Sequence, residues 1–178
     1  METVKRCLIV IDYQNDFVDG SLGFAQASML DHGIAEKIRL YHKRGDTVMF
    51  TLDSHNDDYL HTQEGQKLPV PHCITGTHGH RLYGETASCR QKHDLVFFKP
   101  SFGSMELAYY LRTHPYQEIE LVGVVTNICV ISNAVLCKAA LPEARVCVNA
   151  SLCASNDESL HEKTLDVLRG LQIDVISD

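Results

Sequence analysis

Six short apolar runs recur along this chain, and stretches with helical or loop character separate them. The runs are RCLIVIDY at 6–13, DTVMFTLD at 46–53, DLVFFK at 94–99, IELVGVV at 119–125, RVCVNA at 145–150 and QIDVIS at 172–177. Continuous hydrophobicity, unlike strict alternation, is typical of strands that are buried on both faces. The pattern therefore predicts a largely parallel sheet with helices covering both of its sides.

The segments between the runs supply the expected helices. Helical spacing extends over 28–43, 104–113, 129–140 and 157–171, and the first of these stops at Gly45. Six strands alternating with helices predict a three-layer, doubly wound α/β fold around a six-stranded, mostly parallel sheet. A length of 178 residues suits one domain over 1–178. The stretch 54–92 does not follow this alternation of strands and helices. An irregular segment of this length is usually functional.

Composition narrows the function classes. The formal net charge of −7 disfavours binding to nucleic acid or to an anionic membrane, since both need a cationic face. The partners we expect are a small-molecule substrate and further copies of the same chain, as a homo-oligomer. Neither a signal peptide nor a membrane span is visible, so a cytoplasmic location is expected. The seven cysteines include no CxxC pair, and we expect thiols such as Cys7, Cys137 and Cys147 to pack as small apolar groups.

Four polar residues lie where predicted strands end. Asp12, Asp53 and Lys99 close the first three runs, and Cys129 opens the helix after the fourth. Each alone is ordinary loop or capping chemistry. Together they lie at the carboxyl edge of the sheet, where ligands of open α/β folds bind.

Three of these residues could perform acyl transfer. A helix N-terminus would lower the pKa of Cys129 and favour its nucleophilic thiolate. Asp12 could accept the thiol proton and pass it to a leaving amine, while the cation of Lys99 keeps both groups poised. Asp12, Lys99 and Cys129 therefore form a candidate catalytic trio without histidine.

A metal site is a second possibility at the same edge. Asp53 and His55 are two residues apart and share one face if the chain stays extended, and His72 follows in PHCITGTHG. One carboxylate and two imidazoles suit a divalent transition metal with open positions, although ten histidines make chance patterns easy. Three other histidines of the same stretch are expected at the surface or behind the ligands: His61, His78 and His80. The remaining five have no ligand spacing: His32, His42, His93, His114 and His161.

The motifs resemble those of the isochorismatase-like cysteine hydrolases. They are IDYQNDF at 11–17, KPSFGS at 99–104 and GVVTNICVISNA at 123–134, followed by CAS at 153–155. The resemblance implies a catalytic triad of Asp12, Lys99 and Cys129. It also implies a cis peptide between Val124 and Val125, which would aim the N–H groups of Val125 and Cys129 at an oxyanion. Members of that family that cleave the vinyl ether of isochorismate lack this cysteine, so the resemblance implies C–N bond hydrolysis for this chain.

Within that family, D-S-H followed by LPVPHCITGTHG looks like the nicotinamidase branch. This resemblance implies that Asp53, His55 and His72 bind one divalent metal, zinc first, with iron or manganese possible. The implied reaction converts nicotinamide to nicotinate and ammonia through a thioester on Cys129. Where that branch has an aromatic residue before the last ligand, this chain has Pro69, so we expect Tyr13 and Phe17 to supply the aromatic surface of a looser pocket.

Two alternatives remain open from the sequence. The same trio could hydrolyse another small amide, such as an N-carbamoyl or ureido compound. A flavodoxin-like binding domain with a merely buried Cys129 is the non-enzymatic alternative, although neither a G-x-G-x-x-G motif nor a P-loop supports nucleotide binding.

Overall fold

The computed structural model describes residues 4–178, and within them six strands form one sheet. The strands are β1 (Arg6–Ile11), β2 (Thr47–Asp53), β3 (Leu95–Lys99), β4 (Glu118–Val124), β5 (Arg145–Ala154) and β6 (Asp174–Ile176). Their spatial order is β3-β2-β1-β4-β5-β6, and every neighbouring pair is parallel. The predicted α/β fold is confirmed, with a sheet that is entirely rather than mostly parallel.

Eight α-helices flank the sheet over the same part of the chain. They are α1 (Asn15–Val18), α2 (Ala25–Met29), α3 (Asp31–Arg44), α4 (Gln63–Lys67), α5 (Gly84–Cys89), α6 (Met105–Thr113), α7 (Ile131–Ala140) and α8 (Glu158–Gly170). The predicted helix at 28–43 is thus divided between α2 and α3, and α3 ends at Gly45, whose φ of 75° is the left-handed C-cap that glycine favours. Ser104 and Asp157 cap α6 and α8 through their side-chain oxygens.

The segment 54–92 is less irregular than its composition predicts. It contains a 3₁₀ turn at Tyr59–His61 and the short helices α4 and α5. Thr62 caps α4 by accepting a hydrogen bond from the backbone N–H of Gly65. The helix α4 brings Glu64 close to His55, just after β2, whereas α5 packs against α3.

Side chains of β1 alternate between two apolar cores, one on each face of the sheet. Cys7, Ile9 and Ile11 pack with residues of α6, α7 and α8. Leu8 and Val10 pack instead with α2 and α3. Burial on both faces explains why the strand sequences are continuously apolar.

A close approach between β1 and β4 depends on Gly123. This residue has a φ of 115°, and a Cβ built on it would lie 2.2 Å from the carbonyl oxygen of Ile11. Only glycine permits both this conformation and this contact. Because Asp12 and the turn carrying Cys129 follow these two strands, the contact brings them to the same edge of the sheet.

The structure gives findings on two sequence expectations, which concern membrane spans and the state of the cysteines. No helix within residues 4–178 is long and apolar enough to cross a membrane. All seven cysteines lie in the described part of the chain and are free thiols.

Candidate active site

The carboxyl ends of four adjacent strands place one polar side chain each. In spatial order these are Lys99 from β3, Asp53 from β2, Asp12 after β1 and Cys129 in the turn after β4. All four side chains are buried. The sheet therefore brings together the four residues that the sequence singled out at strand ends.

Lys99 contacts the other three residues. Its Nζ lies 2.5 Å from Oδ2 of Asp12 and 3.4 Å from Oδ1 of Asp53. The same Nζ donates a hydrogen bond of 3.6 Å to Sγ of Cys129 and one of 2.9 Å to the carbonyl oxygen of Ser101. One buried ammonium group thus joins both carboxylates to the thiol.

Asp12 is held by β2 as well as by Lys99. The hydroxyl of Thr51 donates to Oδ1 of Asp12 over 2.7 Å, and the backbone N–H of Asp12 donates to the carbonyl of Thr51 over 3.1 Å. Asp12 has a φ of 45°, in the left-handed region that a non-glycine residue seldom adopts. Such backbone strain is characteristic of functional sites and turns the carboxylate towards Lys99.

Cys129 lies in a π-helical turn, Thr126–Val130, that precedes α7. The N–H of Val130 closes this turn by donating to the carbonyl of Val125 over 3.2 Å. The Val124–Val125 peptide bond is cis, at the position that the motif resemblance implied. The nucleophile candidate therefore lies within the first helical turn after β4.

Polar side chains that the sequence analysis gave no role support this turn. Asn133 donates from Nδ2 to the carbonyl oxygen of Cys129 over 2.8 Å and accepts at Oδ1 from the N–H of Ser104 over 2.9 Å. On the other side, Nδ1 of His161 lies 2.9 Å from the hydroxyl of Thr126. His161, for which its spacing predicted nothing, therefore steadies the nucleophile turn.

The pKa of Cys129 is not lowered as the helix N-terminus predicted. Burial, together with the neighbouring Asp12 carboxylate, raises the pKa of this thiol well above its usual value, and the charge of Lys99 opposes this only in part. Burial also raises the pKa of Asp12, against the lowering effect of Lys99. Burial acts to lower the pKa of Lys99, but the charges of Asp12, Cys129 and Asp53 outweigh it and raise that pKa. The resting site thus holds a thiol beside a carboxylate–ammonium pair.

A cluster of metal-ligand atoms lies next to Lys99. Oδ2 of Asp53 is 2.9 Å from Nε2 of His55 and 3.3 Å from Nε2 of His72, so the three predicted ligands are together. Oε1 of Glu64 lies 3.8 Å from His55 and 3.6 Å from His72. All four ligand atoms are within 4.8 Å of one another.

The chemistry of this cluster fits a divalent transition metal. Nδ1 of His72 donates to the carbonyl oxygen of Val70 over 2.8 Å, which leaves Nε2 to face the cluster. A ligating histidine is usually fixed in this way through its other ring nitrogen. Burial acts to raise the pKa of Asp53, but hydrogen bonds from His55 and His72 and the charge of Lys99 lower it overall. Two imidazoles and two carboxylates form a donor set that suits zinc, iron or manganese.

Glu64 is the member of the cluster that the sequence analysis missed. It lies in α4, nine positions after His55, with no spacing rule to connect the two. The only available signal was its position in the irregular stretch 54–92. Helix formation from Gln63 to Lys67 turns its carboxylate towards the two histidines.

The supporting contacts of this cluster come from the segment after β1. Gln14 is fully buried, donates from Nε2 to the carbonyl of Asp53 over 2.9 Å and accepts from the N–H of Asp53 over 2.8 Å. Asp16 accepts a hydrogen bond of 2.8 Å from the N–H of Cys73, beside His72. Cys73 itself has a φ of 47°. The motif IDYQNDF therefore positions metal-ligand candidates as well as supplying Asp12.

A cavity of about 190 Å³ opens onto both groups of residues. Cys129, Asp53, Glu64 and His72 are the reactive groups on its wall. The rest of the wall is mostly apolar: Phe17, Leu22, Phe24, Leu68, Phe102, Val125, Ile128 and Asn156. Of the two expected aromatic residues, only Phe17 is on this wall, and its ring centroid lies 5.5 Å from that of His72.

Tyr13 does not lie at the cavity, which corrects the sequence prediction. Its side chain is fully buried, its hydroxyl donates to the carbonyl oxygen of Ala27 over 2.6 Å, and its ring packs edge-on against Tyr83. The left-handed backbone at Asp12 interrupts the strand alternation, so neighbouring side chains could not be placed from spacing. Pro69 is exposed, and Leu68 lines the cavity instead.

The other histidines of the stretch 54–92 lie behind or outside the cluster. Nε2 of His80 is 2.7 Å from the hydroxyl of Ser54, which stands between the ligand candidates Asp53 and His55. The ring of His80 stacks on Phe98. His61 and His78 are exposed.

The sequence matches one known protein family along almost its whole length. The isochorismatase domain model matches residues 6–178. The chain belongs to the isochorismatase family. Its sequence is 35% identical to that of a Bacillus subtilis protein described as an uncharacterized isochorismatase family protein, over 74% of this chain and 78% of that protein.

Solved structures of this family are similar along almost the whole chain. The crystal structure of nicotinamidase PncA from Bacillus subtilis matches with a TM-score of 0.87 and 28% identity, over 98% of this chain and 100% of that one. The structure of the pyrazinamidase/nicotinamidase from Streptococcus mutans matches with a TM-score of 0.85 and 31% identity, over 97% and 100% of the two chains. Membership of this hydrolase family thus agrees with the motifs.

Proposed function

We propose that this isochorismatase-family hydrolase is a metal-dependent amidohydrolase of the nicotinamidase type, which converts nicotinamide to nicotinate and ammonia. The observation that carries the proposal is the contact of Lys99 with Asp12, Cys129 and Asp53, because it sets a nucleophile and a proton carrier beside a metal-ligand cluster. The similar structures from Bacillus subtilis and Streptococcus mutans, a nicotinamidase and a pyrazinamidase/nicotinamidase, support this choice of substrate.

The first half-reaction forms a thioester. Because the pKa of Cys129 is raised, its thiol must lose the proton as sulfur attacks the carboxamide carbon, and Asp12 accepts that proton. The N–H groups of Val125 and Cys129 are proposed to receive the developing oxyanion. When the C–N bond breaks, Asp12 returns the proton to the nitrogen, and ammonia leaves.

The second half-reaction releases the acid. Asp12, again a carboxylate, accepts a proton from a water molecule that attacks the thioester carbon. The C–S bond breaks, and the proton passes to the sulfur of Cys129 to restore the thiol. Lys99 supplies positive charge beside Asp12 throughout, and its ammonium group favours the ionised form of this carboxyl group against the effect of burial.

The proposed metal ligands are Asp53, His55, Glu64 and His72. A bound zinc, iron or manganese ion would serve as a Lewis acid that binds the ring nitrogen of the substrate. The residues themselves contribute the shape of the site, since His72 and Glu64 form part of the cavity wall opposite the apolar side chains.

The cavity favours a flat heteroaromatic amide. Phe17, Phe24 and Phe102 provide aromatic surface that can contact a six-membered ring. No tryptophan occurs in the sequence, and the position corresponding to a stacking aromatic residue is Pro69. We therefore propose nicotinamide as the first substrate and related heteroaromatic amides as further ones.

Ammonia release from nicotinamide, pyrazinamide and benzamide tests the proposal. Benzamide should be much the poorest substrate because it lacks a ring nitrogen for the metal to bind. Equal turnover of all three amides would contradict the metal-anchored arrangement. If none is hydrolysed while N-carbamoyl compounds are, the substrate assignment is wrong and the same trio acts on carbamoyl amides.

A further inference from the structure

A second cavity, of about 410 Å³, lies at the amino-terminal edge of the sheet, opposite the candidate active site. His42 of α3 and Asp46, just before β2, contribute to one side of it. His93 and Asp94, just before β3, contribute to the other. The length of β3 separates Asp94 from Lys99 by roughly 16 Å, at about 3.3 Å per residue. The cavity is therefore distinct from the proposed catalytic pocket.

Three potential metal ligands converge there. Nε2 of His42 lies 2.9 Å from Oδ1 of Asp94, and Nε2 of His93 lies 3.9 Å from the same oxygen. The three ligand atoms are all within 4.8 Å of one another. Two imidazoles and one carboxylate are a donor set that binds divalent transition metals and leaves positions for water.

Asp94 is already fixed in a suitable orientation. Its carboxylate is almost completely buried, and Oδ2 accepts a hydrogen bond of 2.7 Å from the backbone N–H of Gln91. This contact leaves Oδ1 directed at the two histidines. His93, in contrast, is exposed, so its ring can turn towards a bound ion without disturbing the core.

An independent feature of the cavity also favours a cation. Oδ2 of Asp46, a lining residue, is buried and has no hydrogen-bond partner among residues 4–178. A buried oxygen of this kind is normally satisfied by water or an ion. Among the described residues that line the cavity, none is lysine or arginine, and the nearby Arg6, which interacts with Asp46, pairs with Glu118 outside the lining.

We propose that His42, His93 and Asp94 bind a second divalent transition-metal ion, with Asp46 facing its hydration water. A His42–Asp94 hydrogen bond alone accounts for two of these groups but gives no role to His93 or to the unpartnered oxygen of Asp46. The ion joins the C-terminal end of α3 to the segment that enters β3. Its role is structural, because it lies at the edge of the sheet away from the reacting groups.

Counting bound metal tests this site directly. The purified full-length protein is stripped with a chelator, dialysed against Co²⁺ or Zn²⁺ and analysed for metal per chain. Wild type should bind two equivalents, and His93→Ala should bind one. His55→Ala/His72→Ala, which disables the proposed catalytic site, should also bind one, and the triple variant none.

His32→Ala is the matched control, since His32 is an exposed histidine that pairs with a carboxylate, Glu85, over 3.0 Å but belongs to neither of the two groups of metal-ligand atoms found within residues 4–178. It should retain both equivalents. His93→Ala should keep wild-type amide hydrolysis, which separates failure of this inference from failure of the proposed function. Two equivalents in His93→Ala, or no bound metal in His55→Ala/His72→Ala, would overturn the inference.

Thermal unfolding supplies a second readout that does not depend on catalysis. An ion that binds only the folded state raises the midpoint of unfolding. Zn²⁺ should therefore stabilise His55→Ala/His72→Ala but leave the triple variant with His93→Ala unchanged. Equal stabilisation of both proteins would show that the bound metal does not use His93.

Discussion

Lys99 and Asp53 link the candidate catalytic trio to the metal-ligand cluster, because Nζ of Lys99 lies 3.4 Å from Oδ1 of Asp53. The same nitrogen contacts Asp12 and Cys129, while Oδ2 of Asp53 faces His55 and His72. The two groups of residues therefore share one buried electrostatic environment. Changes in either group are expected to affect the other.

Replacing the nucleophile should abolish turnover. Cys129→Ala is expected to lower kcat for nicotinamide by at least about 10⁴-fold, since residues of a catalytic unit fail together. Cys89→Ala is the control, because this free cysteine is only partly buried and does not line the catalytic cavity. A Cys129→Ala protein that retained substantial activity would falsify the thioester mechanism.

The decrease of kcat/KM at low pH should follow the protonation of Asp12. The working form is the carboxylate, and burial raises the pKa of Asp12, so kcat/KM should fall as pH decreases through a value above the usual aspartate pKa of about 3.9. Thr51→Val removes a hydrogen bond that lowers this pKa, so it should move this decrease to higher pH. Thr47→Val, on the same strand but away from Asp12, should leave the decrease at the same pH. A profile that Thr51→Val does not move would exclude Asp12 as the titrating group.

Removing the buried ammonium should destabilise the fold. Lys99→Met leaves the carboxylates of Asp12 and Asp53 without their shared cation, and breaking a buried ion pair in this way costs about 3–5 kcal/mol. Urea unfolding measures the change in the free energy of unfolding. The double variant Asp12→Asn/Lys99→Met should be more stable than Lys99→Met, because one of the unpaired charges is gone. If Lys99→Met unfolds at the same urea concentration as wild type, the ion pairs of Lys99 do not contribute to the free energy of unfolding as expected.

Glu64 should contribute to metal affinity. Glu64→Ala removes one of four ligand candidates, so we expect affinity for Zn²⁺ to fall by more than about 10-fold, the least that even a supporting residue usually contributes. Competition with a chromogenic chelator measures this. Glu106→Ala, an exposed position at the start of α6, should bind as wild type does. Unchanged affinity in Glu64→Ala would reduce the ligand set to Asp53, His55 and His72.

Phe102 should affect substrate binding more than chemistry. It is half-exposed on the cavity wall, and loss of one aromatic contact costs about 0.5–1.5 kcal/mol. Phe102→Ala should therefore raise KM for nicotinamide by up to roughly tenfold with little change in kcat. Tyr109→Ala is the control, because Tyr109 is an exposed aromatic residue of α6 that does not line the cavity. An effect confined to kcat would place Phe102 outside the binding surface.

The sequence predicted the sheet and the positions of Asp12, Asp53, Lys99 and Cys129 because one rule, polar residues at the ends of buried strands, covers all of them. It did not reveal Glu64, whose position depends on how short helices fold over the sheet edge. A position that depends on tertiary contacts in this way produces no periodic pattern in the local sequence. The raised pKa of Cys129 could not be predicted either. A position at a helix N-terminus predicts a lowered pKa, whereas burial, which only the structure reveals, raises it.

Except for Phe17, the aromatic residues that line the cavity could not be predicted from the sequence, for a related reason. The position of Tyr13 next to Asp12 predicts a place in the pocket, but Asp12 has a positive φ and the Tyr13 ring enters the core beside Ala27. Phe24 and Phe102 reach the cavity from loops whose course no spacing rule describes. Residues on regular strands were therefore predictable, and those after a conformational break were not.

The distribution of the site over four strands has a consequence for how the protein folds. Lys99, Asp53, Asp12 and Cys129 are neighbours in space, yet 41 positions separate Asp12 from Asp53 and 76 positions separate Asp53 from Cys129 along the chain. Parallel pairings of this kind close long loops and form slowly. Recovery of enzymatic activity after dilution from denaturant should therefore lag behind recovery of helical signal, and activity marks completion of the central sheet rather than collapse of the chain.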